Sequence, residues 1–141
     1  MKPAMDLFVD TSAWFALIDK NDQNHRRAAE FLHQLSETPI LFHLTDYIVD
    51  ETTTLLRIKV SHRRAVAFLD YLKTGANIVR SHVSPDLLVE AENLFRRYKD
   101  KKWSLTDCVS FAYMDQEGLQ DVFSFDANFR EYGKQIHPGG G

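Results

Sequence analysis

Four short apolar runs, held apart by long segments of helical periodicity, limit most strongly what this chain can fold into. Leu7-Phe8-Val9, Ile40-Leu41-Phe42, Asn77-Ile78-Val79-Arg80 and Asp121-Val122-Phe123-Ser124-Phe125 are each of strand length, and brief runs of this kind suit strands buried in a sheet. Between them, apolar residues recur every third or fourth position. Ala28, Phe31, Leu32 and Leu35 do so in one segment, and Leu87, Leu88, Ala91, Leu94, Phe95 and Tyr98 in another, which predicts helices with one buried face. Strands that alternate with helices pair in parallel, since the helix carries the chain back across the sheet. The sequence therefore predicts an α/β domain with a largely parallel sheet.

Local punctuation supports the helices. Thr11 and Ser12 can start one that runs to about residue 19, through hydroxyls that cap free backbone N–H groups. Thr45-Asp46 opens another, whose stripe holds Ile48, Glu51, Thr52, Leu55 and Leu56. Gly75 follows a helix over 63–73, and Ser84-Pro85 joins a cap to a proline in the first turn, both favoured boundaries. Ser104-Leu105-Thr106-Asp107 has a form related to a capping box, ahead of a helix that Gly118 closes. A short turn is expected from Ala127 to Tyr132. No repeat or linker interrupts the pattern, so residues 1–135 read as one domain. Residues 136–141, ending Pro138-Gly139-Gly140-Gly141, read as a flexible tail.

With 141 residues the chain can bury a substantial core. No apolar run approaches the roughly 18 residues a membrane span needs, and Asp10 cuts short the apolar stretch near the start, which reads against a secretory signal. One cysteine, Cys108, excludes an internal disulfide and a cysteine-rich zinc site. A reducing, cytoplasmic setting without membrane contact is expected. With 17 basic and 20 acidic side chains the net charge is −3, so any nucleic-acid contact must be a local patch rather than a wholly basic surface.

Four acids stand beside apolar segments: Asp10 after Leu7-Phe8-Val9, Glu51 between Ile48 and Leu55, Asp107 before Cys108-Val109, and Asp126 after Phe125. A carboxylate at the edge of a core is costly unless something compensates it. Ligands bind parallel sheets beyond the carboxyl ends of the strands, where Asp10 and Asp126 both fall. Asp107 lies in a first helical turn, whose dipole favours an anion. Glu51 is the most telling, because its spacing from Ile48 and Leu55 puts it on that helix's apolar face. Taken singly, Asp10 also reads as a helix cap, Asp107 as a first-turn acid and Asp126 as an Asx turn. Gathered together, four carboxylates raise one another's pKa values unless a hard cation such as Mg²⁺ or Mn²⁺ joins them. That combination suits phosphodiester hydrolysis.

Val9-Asp10-Thr11-Ser12-Ala13, a helix-borne Glu51, Thr106-Asp107 and Ser124-Phe125-Asp126-Ala127-Asn128-Phe129, in that order and spacing, resemble the PIN domain family and its VapC-like toxin branch. The resemblance runs from Leu7 to about Phe129. It implies a three-layer α/β/α domain with a mostly parallel central sheet of four or five strands. It also implies a Mg²⁺- or Mn²⁺-dependent endoribonuclease whose catalytic and metal-binding residues map to Asp10, Glu51, Asp107 and Asp126. Asp10 and Asp107 would be the principal ligands, and hydrolysis would leave a 5′-phosphate and a 3′-hydroxyl. Thr11, Ser12, Thr106 and Asn128 fall where they could orient a carboxylate or a water. The implied partners are RNA, a small antitoxin seated by the aromatic helix of Trp14 and Phe15, and a second copy in a homodimer. A housekeeping RNA-processing nuclease and a catalytically silent RNA- or protein-binding domain are the alternative readings.

Arg96-Arg97-Tyr98-Lys99-Asp100-Lys101-Lys102-Trp103 is the best basic stretch, and it leads directly to Asp107. Arg96, Arg97, Lys99, Lys101 and Lys102 could grip phosphates there, with Trp103 or Tyr98 stacking on an unpaired base. The plain alternative is a solvated helix end. Other chemistries find less support. Ser12 stands where a haloacid-dehalogenase-type phosphatase needs a second Asp, the six His form no His-x-x-x-His pair, and no Gly-rich phosphate loop is present. Cys108 reads as core rather than nucleophile.

Overall fold

The computed structural model of the chain describes residues 4–139. Strands and helices alternate as β1 (Met5–Val9), α1 (Thr11–Ile18), α2 (His25–Gln34), β2 (Ile40–Thr45), α3 (Asp46–Lys59), α4 (His62–Thr74), β3 (Ile78–Ser81), α5 (Pro85–Arg97), α6 (Leu105–Glu117), β4 (Asp121–Phe123), α7 (Asn128–Tyr132) and β5 (Gln135–His137). Every strand pairing is parallel, and the sheet order is β3-β2-β1-β4-β5. The chain winds outward from β1 through β2 to β3, then returns to lay β4 and β5 along the other edge of β1. The carboxyl ends of β1 and β4 therefore flank the switch point, where the following segments part and leave a crevice.

Alternating strand side chains build the layers on either face. Phe8 meets Tyr113 of α6 and Phe129 of α7 on one side. On the other, Phe42 meets Trp14 of α1, and Phe123 meets Phe31 of α2. Phe68 brings α4 onto Trp14, while α5 packs along α6. Phe8, Phe111, Phe123 and Phe129 are fully buried, each worth about 1.5–3 kcal/mol in transfer from water. The result is the three-layer α/β/α arrangement that the family resemblance implied.

The helix boundaries follow the local chemistry. Thr45, Ser84 and Ser104 accept N–H groups from Ile48, Leu87 and Asp107, capping α3, α5 and α6. Gly118 ends α6 at φ +67°, a left-handed conformation that side chains disfavour. Three expectations need correction. The tail predicted from residue 136 instead begins in the sheet: Ile136 is buried and His137 ends β5, which pairs with β4. Residues 140–141 of that tail lie outside the described residues. The fourth strand stops at Phe123, because Ser124 and Phe125 turn away to shape the crevice. Phe95 is 53% exposed rather than inward-facing on α5. Among the described residues no helix is long and apolar enough to cross a membrane.

Candidate active site

Asp10 sits where β1 ends, at the position preceding α1, yet its side chain makes no capping bond to that helix. Instead Oδ2 accepts hydrogen bonds from the hydroxyls of Ser12 and Ser124, each at 2.9 Å. The same hydroxyl oxygens are tied to the chain behind them: Ser12 Oγ accepts the Phe125 N–H and Ser124 Oγ accepts the Asp126 N–H. This lattice locks the end of β1 to the turn after β4. Asp10 is only 5% exposed. Burial pushes its carboxyl from the usual 3.8 up to about 7; the two serines oppose that rise, and the charges of Asp107 and Asp126 add to it.

Asp107 occupies the third position of α6 and forms a full capping box with Ser104. Its Oδ2 accepts the Ser104 N–H and also the Asn128 side-chain amide, both at 3.0 Å. Asp126 accepts the Asn128 N–H through Oδ1, the Asx turn that starts α7. Asn128 thus straddles two carboxylates, reaching Asp126 Oδ2 as well at 3.4 Å. Glu51 reaches the same crevice from α3, beside the Thr11 hydroxyl. Burial raises the carboxyls of Glu51 and Asp107, and Asp126 pushes both further upward. Four acids from four separate segments therefore share one electrostatic neighbourhood beyond β1 and β4.

Residues 7–135 match the PIN domain family. This chain belongs to the PIN domain family. A curated relative, the 23S rRNA-specific endonuclease VapC20 of Mycobacterium tuberculosis, is 32% identical over 127 residues, covering 90% of this chain and 94% of that protein. The crystal structure of M. tuberculosis VapC20, described as a Sarcin-Ricin loop cleaving toxin, superposes with a TM-score of 0.84 at 30% identity, covering 92% of this chain and 96% of that one. VapBC2 from Rickettsia felis, bound to a DNA fragment from its promoter, shares the fold at TM-score 0.69 and 12% identity, over 94% of this chain and 96% of that one. FitAcB from Neisseria gonorrhoeae does so at 0.63 and 13%, over 92% and 95%.

The side chains gathered at the crevice offer carboxylate oxygens, the donor type that hard divalent ions prefer. Among the described residues no three ligand-type side chains stand close enough, as arranged, to share one ion. The residues therefore fit an ion that takes one or two carboxylates directly and keeps waters, the habit of Mg²⁺. Asp10 has one oxygen committed to the serines, with no hydrogen bond to Oδ1 among the described residues.

Glu51 reaches the crevice by a different route from the one its spacing suggested. The buried side of α3 carries Ile48, Val49, Thr52 and Leu56, whereas Glu51 is exposed at the crevice mouth. Spacing from Ile48 and Leu55 put it near that face without separating its edge from its centre. Thr11 is buried and accepts the Thr52 hydroxyl, tying α1 to α3 beneath Glu51. Thr106 is half-buried, and its carbonyl accepts the Ser110 hydroxyl.

Ser124 carries a role that the sequence did not suggest. The signal was a hydroxyl inside the apolar run Val122-Phe123-Ser124-Phe125, which a buried strand end tolerates only with a partner. Trp103 needs the opposite correction: it is 6% exposed, packs on Tyr98, Phe111 and Tyr132, and donates its indole N–H to Glu131. A ring enclosed in this way has no face left for a base. Lys101 is half-buried and pairs with Glu131, while Arg96, Arg97, Lys99 and Lys102 are exposed. Cys108 is buried, and burial pushes its thiol up to about 11, in keeping with core rather than nucleophile.

Proposed function

We propose that this PIN domain is a Mg²⁺- or Mn²⁺-dependent endoribonuclease acting in the cytoplasm as the toxin of a toxin–antitoxin pair. The observation that carries the reading is the convergence of Asp10, Glu51, Asp107 and Asp126 at the switch-point crevice, where burial and neighbouring acid charges raise the carboxyl pKa of Asp10, Glu51 and Asp107. Such a cluster is costly unless a cation relieves it. Asp10 and Asp107 are the residues that would hold the ion directly, with Glu51 and Asp126 completing its surroundings through water. Bound there, the ion would supply charge neutralisation for the scissile phosphate and a more acidic water.

The chain's own groups do the rest. Ser12 and Ser124 fix the carboxylate plane of Asp10, and Asn128 sets the separation of Asp107 and Asp126. Glu51, at the open mouth with a raised carboxyl pKa, is suited to accept a proton from the attacking water. The named target of VapC20 makes 23S rRNA the first substrate to test. Incubated with that RNA and Mn²⁺, the purified protein is expected to give discrete cuts with 5′-phosphate ends, and EDTA to suppress them. RNA left intact in Mn²⁺ would sink the reading.

For the antitoxin, an apolar cavity of about 450 Å³ opens between α1 and α4, lined by Trp14, Leu17, Phe68 and Tyr71 among others. Trp14 belongs to the wall of this cavity, and its indole N–H is buried with no hydrogen-bond partner among the described residues. Co-expression with the adjacent gene should yield a stable complex that no longer cuts RNA. The proposal extends to a homodimer, for which exposed Val89 and Phe95 on α5 offer apolar surface; sedimentation would measure it.

A further inference from the structure

On the β5 side of the acids, a second opening of about 350 Å³ carries the opposite charge. Arg27 of α2 and Arg130 of α7 line it, with Gln23, Asn24, Ser124 and Phe125 among the remaining walls. Its volume is at the low end of the range for small-ligand sites. No acid lines it. Both arginines are exposed, and neither is ion-paired among the described residues, whereas the neighbouring Arg26 is tied to Glu30 at 3.1 Å. The Arg27 guanidinium lies over the Phe125 ring, 5.4 Å from its centroid, an attractive arrangement that gives a flexible side chain a preferred place.

Ser124 and Phe125 form the wall between this opening and the acids. The Ser124 hydroxyl touches Asp10, and the Phe125 N–H donates to Ser12, which also holds Asp10. A group seated against that wall lies next to the carboxylates. The acids by themselves repel a phosphate backbone. Two guanidinium groups without an ion-pair partner among the described residues offset that repulsion at one side of the crevice, and each presents forked N–H donors to phosphate oxygens.

We propose that this opening is a subsite for one unpaired ribonucleotide next to the scissile bond, with Arg27 and Arg130 holding its flanking phosphates. Its base lies against the Arg27–Phe125 pair, a flat surface that any base can use. The inference rests on the endoribonuclease reading and adds which residues grip the strand.

The test is fluorescence anisotropy with a labelled single-stranded oligoribonucleotide of mixed sequence, in EDTA so that cleavage does not intervene. The proteins are wild type, the Arg27→Ala/Arg130→Ala double variant, and Arg26→Ala as a control for removing a nearby arginine. The double variant is expected to bind about 10–100-fold more weakly and to flatten the log–log salt dependence by about 1.4, or about 0.7 for each phosphate of a single strand that an arginine no longer neutralises. Arg26→Ala should alter neither. Unchanged affinity and slope in the double variant would overturn the subsite, as would preferential capture of a labelled polyglutamate peptide, which marks a protein-docking surface. Cleavage in Mn²⁺ is scored separately. Wild-type protein that binds through both arginines yet never cuts overturns the endoribonuclease reading and leaves the subsite standing. Cutting without any loss of binding in the double variant does the reverse.

Discussion

Replacing Asp10 with asparagine is expected to stabilise the metal-free protein. The folded state binds a proton on Asp10 more tightly than the unfolded chain does, since burial lifts its carboxyl from 3.8 to about 7. For a carboxyl raised in this way, stability is greatest below the unfolded value and falls as pH rises through that window; above about 7 the whole cost is borne. The gap corresponds to about 4 kcal/mol at most, and relaxation or entering water will reduce what is measured. Asparagine removes the charge, and its carbonyl can still accept the Ser12 and Ser124 hydroxyls that Oδ2 now accepts. The variant should therefore exceed wild type by about 2–4 kcal/mol at about pH 8, and by less than about 2 kcal/mol at about pH 5. Urea unfolding followed by circular dichroism in EDTA measures both differences. Mn²⁺ should then stabilise wild type and leave the variant almost unmoved. A variant no more stable than wild type at the higher pH, or a difference that ignores pH, would refute the reasoning.

Three further outcomes follow from the same contacts. Ser124→Ala strands the Asp126 N–H and removes one donor from Asp10, so it should cost about 1–3 kcal/mol in urea unfolding and slow cleavage. Asn128→Ala frees Asp107 from Asp126; titration with Mn²⁺ should show affinity about 10–100-fold weaker, the usual effect of losing a group that orients a ligand. Trp103→Ala should lose about 3–5 kcal/mol of stability in a thermal melt, because the ring is enclosed by Tyr98, Phe111 and Tyr132. An unchanged melting temperature with weakened RNA binding would restore the stacking role that its burial denies.

The parallel α/β arrangement was legible in the sequence because apolar runs of strand length and stripes of helical spacing do not resemble each other. Ser84-Pro85 and Ser104 marked their helices through hydroxyls whose partners lie within one turn. The missing strand, Gln135–His137, has one buried residue, Ile136, and its pairing with β4 is decided by tertiary contact alone. Asp10 and Asp126 could be anticipated at neighbouring strand ends, since both follow apolar runs. Glu51 could not be placed so well: periodicity gives the side of a helix only to within about one residue position, and here that separates core from crevice mouth. The partners of Ser124 lie as far off as Asp10, and no local spacing announces a bond across that much chain. Arg27 and Arg130 were hidden for the same reason, whereas Arg96 to Lys102 were conspicuous only because they are nearly consecutive.

The central claim is that four carboxylates from four segments form one RNA-cutting centre. Single-turnover cleavage of a 23S rRNA fragment at saturating Mn²⁺ tests it most directly, comparing wild type with Asp10→Asn, Glu51→Gln, Asp107→Asn and Asp126→Asn. Each substitution should slow cleavage by about 100-fold or more with the fold intact by circular dichroism, and combining Asp10→Asn with Asp107→Asn should add little, as for residues acting as one unit. Undiminished cleavage by the Asp10→Asn protein would contradict the account.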